Sequence, residues 1–439
     1  MSKNMGCGAG ESMKKTQKQA PAAQWEDRGP FSTFARELSQ WSRTGAAPRS
    51  ADSDLRYAMD LQKDRLDRLG LGLEYDLSPR GVLDGTGSRQ SRTRRAGRFE
   101  MEESWRSCQL ETRIHAGEKT LYFRREREIL YLTLTRFRGG ELPAQAPCTC
   151  PACGAVSMVE TLSQKGCPYC GGRFTLGELY PKITGYYFVR DSGMTKEEFK
   201  TPVLRLSLIF GGFWLVAGLP GMLMRCFDGG FHPWPLVGGL LSAALFGGIF
   251  GYVAYVLYLL AVLFREAAGS LQLLPGFLRG RRRLTEFFRD LDPDFSYEFF
   301  LGKMASLAKR VLLAEDPGEL PDYGGGALPE FCRDILDVSF RGGLGLGACR
   351  REGNRVSLNV TVFATCLERG KHGIRRRNRA VTMTVCRELG PEEPMALRRV
   401  QCPACGGSFD ATRLKCCPYC DSPYDRAKST WVAEAVQMI

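Results

Sequence analysis

Eight cysteines stand in four CxxC pairs: Cys150-Pro-Ala-Cys153, Cys167-Pro-Tyr-Cys170, Cys402-Pro-Ala-Cys405 and Cys417-Pro-Tyr-Cys420. Thirteen residues separate the first two pairs and eleven the second two. A CxxC turn points two thiolates at one centre, and two such turns complete a tetrahedral sulfur site with bonds of about 2.3 Å. Gly154 and Gly406, directly after the CPAC words, relax the turn so that backbone amides approach the sulfurs. This is the zinc-ribbon pattern, and its repetition predicts two zinc ions, with four-thiolate iron as the lesser alternative. A closed site leaves no open coordination position, so the metals are expected to be structural and not catalytic. Cys148 competes with Cys150, and Cys416 with Cys417; the repeated CPAC and CPYC words choose the inner set.

Those eight belong to a total of 17 cysteines, beside only 3 histidines, in 439 residues carrying a net charge of +13. The length is that of two to four domains, and the composition excludes a collagen-like, wholly disordered or small secreted scaffold. The opening MSKNMGCGAGESMKKTQKQAP lacks the charged-then-apolar pattern of a secretory signal, so thiols in a reducing compartment are expected. Scarce histidine disfavours hydrolases built on imidazole bases. His115, His232 and His372 fall on a strand end, in an outer loop and in a basic turn, where each reads as a surface polar residue. With no phosphate loop, paired acidic metal motif or nucleophile elbow, the chain is expected not to be an enzyme. Cys366 and Cys386 fall on strands as small core residues.

Two apolar runs must hold all this at a bilayer: LSLIFGGFWLVAGLPGMLM (206–224) and the uncharged LVGGLLSAALFGGIFGYVAYVLYLLAVLF (236–264). About 20 apolar residues cross a hydrocarbon core, so spans are placed at 203–226 and 235–264. Trp234 in the short intervening loop suits an interfacial anchor. Arg190, Lys196, Lys200 and Arg205 before the spans, and Arg265, Arg279 and Arg281 to Arg283 after them, put both flanks and both termini in the cytoplasm. A bacterial inner membrane, crossed twice, is the expected location. Gly247 and Gly251 form a GxxxG spacing that lets the spans pack closely.

The flanks divide into a disordered tail (1–29), an α+β region (30–200) with a ribbon at 148–172, a basic juxtamembrane segment (265–284), and a second α+β region (285–439) with a ribbon at 402–421. Helical periodicity is read at Phe31 to Arg43 and Ser53 to Leu69, and a Gly, Ser and Arg-rich linker at 78–97. Strands are read at Gln109 to His115, Leu121 to Arg124 and Ile129 to Phe137. In the second region a helix is expected from Asp292-Pro293, then a short helix LPEFCRDILDV, then strands Val356 to Leu367 and Ala380 to Arg387 joined by the turn RGKHGIRRRN. Each ribbon precedes one more apolar segment, KITGYYFV or TWVAEAVQMI, and the cysteine pairs of the two ribbons are offset by 250 to 252 residues, which suggests internal duplication.

DPDFSYEFFLGKMASLAKRVLLAEDPGEL, the LPEF…DIL segment, SLNVTVFATCLER, RAVTMTVCREL and the final Trp431-Val432 resemble, in that order, the Tim forty-four-like domain family over about residues 285–439. The resemblance implies an α+β cone similar to nuclear transport factor two, and the role of a membrane-associated adaptor for protein translocation or membrane-protein quality control. The mitochondrial member of that family tethers a chaperone motor to an import channel and binds cardiolipin. The chain departs from it by its integral spans, its ribbons and a glycine-rich middle, GELPDYGGGAL. No catalytic residue carries over.

Arg279, Arg281, Arg282 and Arg283 lie beside Phe277, Leu278, Leu284, Phe287 and Phe288, so this segment can lie on an anionic leaflet, each cation contributing about 1 kcal/mol. A packed helix that sets topology is the competing reading. The other Arg-rich segments, 89–98 and 371–379, are dispersed among a linker and a hairpin turn, which disfavours nucleic acid as partner. The fold class expected is α+β, a transmembrane hairpin flanked by two cone regions, serving as a scaffold for protein partners. A nucleic-acid tether, a lipid or small-molecule cone and an enzyme are the alternatives.

Overall fold

The computed structural model describes residues 25, 29–80, 90–96, 99–137, 147–150, 155–172, 182–191, 196–227, 233–271, 274–292, 295–371, 373–389, 400–409, 411, 413–428 and 430–438. The expected disordered tail falls outside these residues except at Trp25 and Gly29.

Helix α1 (Pro30–Thr44) has proline in its first turn and ends where Gly45 adopts a left-handed φ of 76°, a conformation open to glycine. Its Phe31, Phe34, Leu38 and Trp41 recur every three or four residues and are buried. In α2 (Ser53–Arg68) the Asp52 carboxylate accepts the Leu55 amide at 2.9 Å, capping the first turn. Strands β1 (Gly72–Pro79), β2 (Gln90–Ala96), β3 (Phe99–Ala116) and β4 (Lys119–Phe137) follow. A ribbon holds β5 (Pro147–Thr149), β6 (Val156–Met158) and α3 (Val159–Gln164), and β7 (Lys182–Arg190) returns to the sheet. All pairings are antiparallel, in the order β1-β3-β4-β7, with β2 beside the first half of β3. Alternate residues Cys108, Leu110 and Ile114 of β3 and Leu130, Leu132 and Leu134 of β4 face α1 in one core.

Two long helices come next, α4 (Lys196–Phe227) and α5 (Trp234–Leu271), then α6 (Leu274–Phe288) and α7 (Tyr297–Leu313). Strands β8 (Ile335–Glu352), β9 (Arg355–Gly370) and β10 (Gly373–Glu388), a ribbon with β11 (Val400–Gln401) and β12 (Ser408–Phe409), and β13 (Val432–Met438) complete the chain. The second sheet runs β13-β10-β9-β8. Each half therefore has one plan: two helices, an edge strand (β1 extended by β2, or β8), a long hairpin, a ribbon, and a last strand on the hairpin's second member. The caps recur too, since Ser296 accepts the Phe299 amide as Asp52 accepts that of Leu55.

Several expectations from the sequence are corrected. The 78–97 linker contains the end of β1 and all of β2. Leu121 to Arg124 and Ile129 to Phe137 are parts of one strand. The helix read from Asp292-Pro293 begins at Tyr297, because Ser296 is its cap and Asp292 is spent on a 2.6 Å ion pair with Arg387. LPEFCRDILDV is a 3-10 turn (Glu330–Asp334) running into β8, where Ile335, Leu336 and Val338 are buried by a strand and not by a helix. The basic turn is mostly paired strand, with register from Gly373 opposite Gly370 onward.

The two halves share side chains across one seam. Tyr57 and Leu61 of α2 lie in the core of the second half, while Leu336 and Leu367 lie in that of the first. Gly185 of β7 meets Gly302 of α7 so closely that a Cβ on Gly302 would stand 2.6 Å from the Thr184 carbonyl oxygen. Arg341 of β8 donates to both Glu128 oxygens at 3.0 and 3.1 Å and to the Phe188 carbonyl at 3.2 Å.

Within α4 and α5, Lys200–Phe227 and Trp234–Ala261 are each long and apolar enough to cross a membrane. They pack through small residues: a Cβ on Gly247 would meet the Ser207 carbonyl oxygen at 2.5 Å and Gly211 Cα at 2.7 Å, and one on Gly251 the Ser207 nitrogen at 2.5 Å. Trp214, Phe246 and Phe250 stack along the same contact. The outward faces, with Leu208, Phe213, Val216, Leu241 and Leu257, are exposed.

Candidate metal centres

The second ribbon brings Cys402, Cys405, Cys417 and Cys420 together with their sulfurs within 4.8 Å of one another. The distances Cys402 Sγ to Cys420 Sγ and Cys405 Sγ to Cys417 Sγ are both 3.6 Å. Bonds of about 2.3 Å in a tetrahedron require sulfurs about 3.8 Å apart, so the four thiols fit one metal ion. In the first ribbon Cys150, Cys167 and Cys170 converge in the same way, with Cys150 Sγ to Cys170 Sγ at 3.8 Å. Cys153 lies outside the described residues.

Local hydrogen bonding explains why these words fold as they do. The Cys402 amide donates to the Gly407 carbonyl and the Gly406 amide to the Cys402 carbonyl, both at 2.8 Å. Cys417 makes the same pair with Ser422 and Asp421, at 2.9 Å each, and Cys167 with Gly172 and Gly171, at 2.8 Å each. The fourth residue after the leading cysteine must then adopt left-handed φ, supplied by Gly171 (67°), Gly406 (73°) and Asp421 (56°). The sequence signal of glycine after CPAC thus holds at Gly406, whereas Asp421 takes that conformation without glycine.

Electrostatics treat the converging thiols unequally, raising Cys405 through its neighbouring cysteines and lowering Cys420. Ser422, through its hydroxyl and its backbone amide, holds the Cys420 thiol down to about 6, and the hydroxyl lies 3.3 Å from the sulfur. By contrast, burial pushes the Cys108, Cys332 and Cys366 thiols up to about 12, as befits small core residues. Cys386 is likewise buried and raised. Cys416, next to the ligand Cys417, is exposed and outside the converging set. Cys148 pairs through its backbone with Ser157 on β6, and its side chain is outside the described set. Both CPYC knuckles show their tyrosines outward, Tyr169 at 70% and Tyr419 at 69% exposure.

The basic segment after the spans is a packed helix. Leu284 and Phe288 of α6 are buried in the second core, and Gly280 sits against Leu344 and Leu346 of β8. Arg281 turns inward to Glu298 at 2.6 Å and over the Tyr297 ring. Arg282 and Arg283 are exposed, Arg282 pairing with Glu286 at 2.9 Å, and the Arg279 side chain is outside the described set. Of the apolar side expected to enter a leaflet, Leu284, Phe287 and Phe288 are therefore taken up by the protein's own core, while the side chains of Phe277 and Leu278 lie outside the described set. Of the histidines, His115 is half-buried 3.8 Å from Glu74, while His232 and His372 lie outside the described residues.

What the sequence did not reveal is a buried ionic chain at the seam. Asp54 of α2 pairs with Lys303 and stands 3.7 Å from Arg310, both on α7; Arg310 pairs with Asp322, and Asp322 with Arg426 at 2.6 Å. Every member is at most 4% exposed in its side chain. Four segments supply these residues, so no spacing announces them; a charged residue inside an apolar helical stretch, as at Lys303 and Arg310, was the available signal.

Neither a protein-family model, nor a curated protein, nor a solved structure matches the chain. The chain is a mixed α+β protein with two apolar helices and two cysteine clusters able to hold metal.

Proposed function

We propose that the protein is an integral membrane adaptor whose two zinc ribbons are structural and whose soluble halves dock protein partners at the cytoplasmic face of a bacterial inner membrane. The observation that carries this is the seam. Helix α4 leaves the first half and α6 re-enters the second after a two-helix hairpin, and the halves share one interface, so both lie on the same side of any bilayer the hairpin crosses. The cationic flanks make that side the cytoplasm. Resemblance of residues 285–439 to Tim forty-four-like domains supports the adaptor role and a cone-like reading of each α+β half. Four thiolates in closed tetrahedra favour zinc, which stabilises the ribbon and leaves no position for substrate.

Topology and metal are tested together. An alkaline phosphatase fusion at Gly229 is expected to be active and fusions at either terminus inactive; the opposite result reverses the orientation. Purified chain is expected to hold about two zinc ions, falling to about one in Cys405→Ser and unchanged in Cys416→Ser. Charge-transfer colour and iron in place of zinc would overturn the metal assignment. For the docking role, a photo-crosslinking residue in place of the exposed Tyr169 should yield discrete protein adducts in cells; lipid adducts alone would replace the adaptor with a lipid-binding role.

A further inference from the structure

The two ribbons are one module in two settings. Among the described residues of the first, the buried Cys150, Ala155, Leu162 and Cys167 pack on one another. The second is tied into the seam at two points. Arg413, between its knuckles, pairs with Asp60 of α2 at 2.5 Å and lies over the Tyr57 ring, its guanidinium carbon 5.1 Å from the centroid. Tyr57 in turn donates from its hydroxyl to the Glu319 carbonyl, ahead of Asp322. Arg426, in the 3-10 turn Arg426–Lys428 just after Cys420, enters the buried chain Arg426–Asp322–Arg310–Asp54 that ends on α2.

We propose that metal in the second ribbon latches the two halves together. It rests on the reading that Cys402, Cys405, Cys417 and Cys420 hold a metal ion. When bound, the ion supplies the link that fixes both knuckles. Arg413 then leaves the loop between them at a fixed angle toward Asp60, and Arg426 leaves the second knuckle already aimed at Asp322. A ribbon of this size has little other core: Cys402, Phe409, Ala411 and Cys417 are the buried residues among those described, while Cys405 and Cys420 are exposed. Without the ion neither arginine has a fixed base. A displaced Arg426 leaves Asp322 short of one cation in a dry seam, a state far costlier than a lost surface pair. Loss of metal thus opens α2 from α7, while the same loss from the first ribbon stays local.

Amide hydrogen exchange on the full chain in detergent micelles tests this, with metal content measured on every sample. Cys405→Ser, lacking the second metal, is expected to speed exchange across Ser53–Arg68 by about ten-fold or more, and Arg413→Ala, retaining both but removing a partly exposed pair, by about two- to five-fold. Cys170→Ser, lacking the first metal, should leave that segment at the wild-type rate, and adding Arg413→Ala to Cys405→Ser should give little further change. Should Cys405→Ser fail to fold, chelator on the wild-type chain must produce the same opening, and added zinc must reverse it. Exchange confined to residues 402–421 after loss of the second metal would overturn the latch while leaving the metal assignment intact. A wild-type chain with no metal in the second ribbon would overturn both.

Discussion

Asp52 shows how a residue's setting departs from its type. Its carboxylate caps α2, yet burial, and then the neighbouring Asp54 carboxylate, push it up to about 7. Asp54, two residues on, is equally buried but held well below the usual carboxylate range by Lys303 and Arg310. A carboxyl raised in the folded state contributes stability that is fully present below the unfolded value near 3.8 and is lost as pH rises through about 7. Asn keeps the cap and cannot ionise. The advantage of Asp52→Asn over the wild type should therefore be small near pH 4 and grow by more than about 1 kcal/mol on the way to pH 7, since a tenfold difference in proton affinity is worth about 1.4 kcal/mol. Thermal unfolding of both proteins between pH 4 and 8 checks this; a difference independent of pH would mean that Asp52 does not titrate in the window. The cysteine words were legible because metal ligands are local in sequence. Asp54 was not, since its partners Lys303 and Arg310 come from the other half.

At the level of elements, amphipathic periodicity located α1, α2 and β9, unbroken apolar length located the two long helices, and both signals failed where glycine or charge interrupts a strand. The start of β8 is read as the end of a helix and no strand is read beyond Val338, because Gly342, Gly343, Gly345 and Gly347 break the pattern; the pairing with β9 shifts register there instead of stopping. β4 was split by the charged run Arg124 to Glu128, which is nonetheless part of one continuous strand, with Arg124, Arg125 and Arg127 exposed and Glu128 buried against Arg341. The GxxxG spacing in α5 has a sharper consequence, because neighbouring glycines differ in what they touch. Gly247 faces α4, whereas a Cβ on Gly248 would have nothing within 4 Å. Gly247→Leu must push the helices apart and is expected to lower stability in micelles by about 1 to 3 kcal/mol, with Gly248→Leu close to wild type. Equal effects would show that the hairpin does not pack through this face. The α6 segment teaches the converse lesson: its apolar stripe was correctly read as amphipathic, but periodicity does not say whether lipid or a sheet covers it.

Across the whole molecule, the repeated CPAC and CPYC words at a fixed offset hinted at two copies of one plan, and the matching strand orders bear that plan throughout. What the repeat could not convey is that the copies interlock. Arg65 is the clearest instance. Its guanidinium, on a side chain 1% exposed, donates to the carbonyls of Leu312, Ala314, Ile335 and Cys332 and pairs with Glu315, closing the end of α7 with a side chain from α2. Of these, the Leu312 and Ala314 carbonyls would otherwise be orphaned helix-end acceptors in a buried place. One turn on, Arg68 crosses the same seam to Glu319 at 3.3 Å but is 53% exposed. Water can replace Arg68 and cannot replace Arg65. Arg65→Met is accordingly expected to cost about 3 to 5 kcal/mol and to unfold both halves in one transition. Arg68→Met should cost less than about 1 kcal/mol. Denaturant melts followed by tryptophan fluorescence in variants that keep only Trp41 or only Trp431 can separate the halves, since Trp41 is buried in the first core and Trp431 in the second. Two resolved transitions in Arg65→Met would show that the halves fold as independent units and that the seam is only a contact between them.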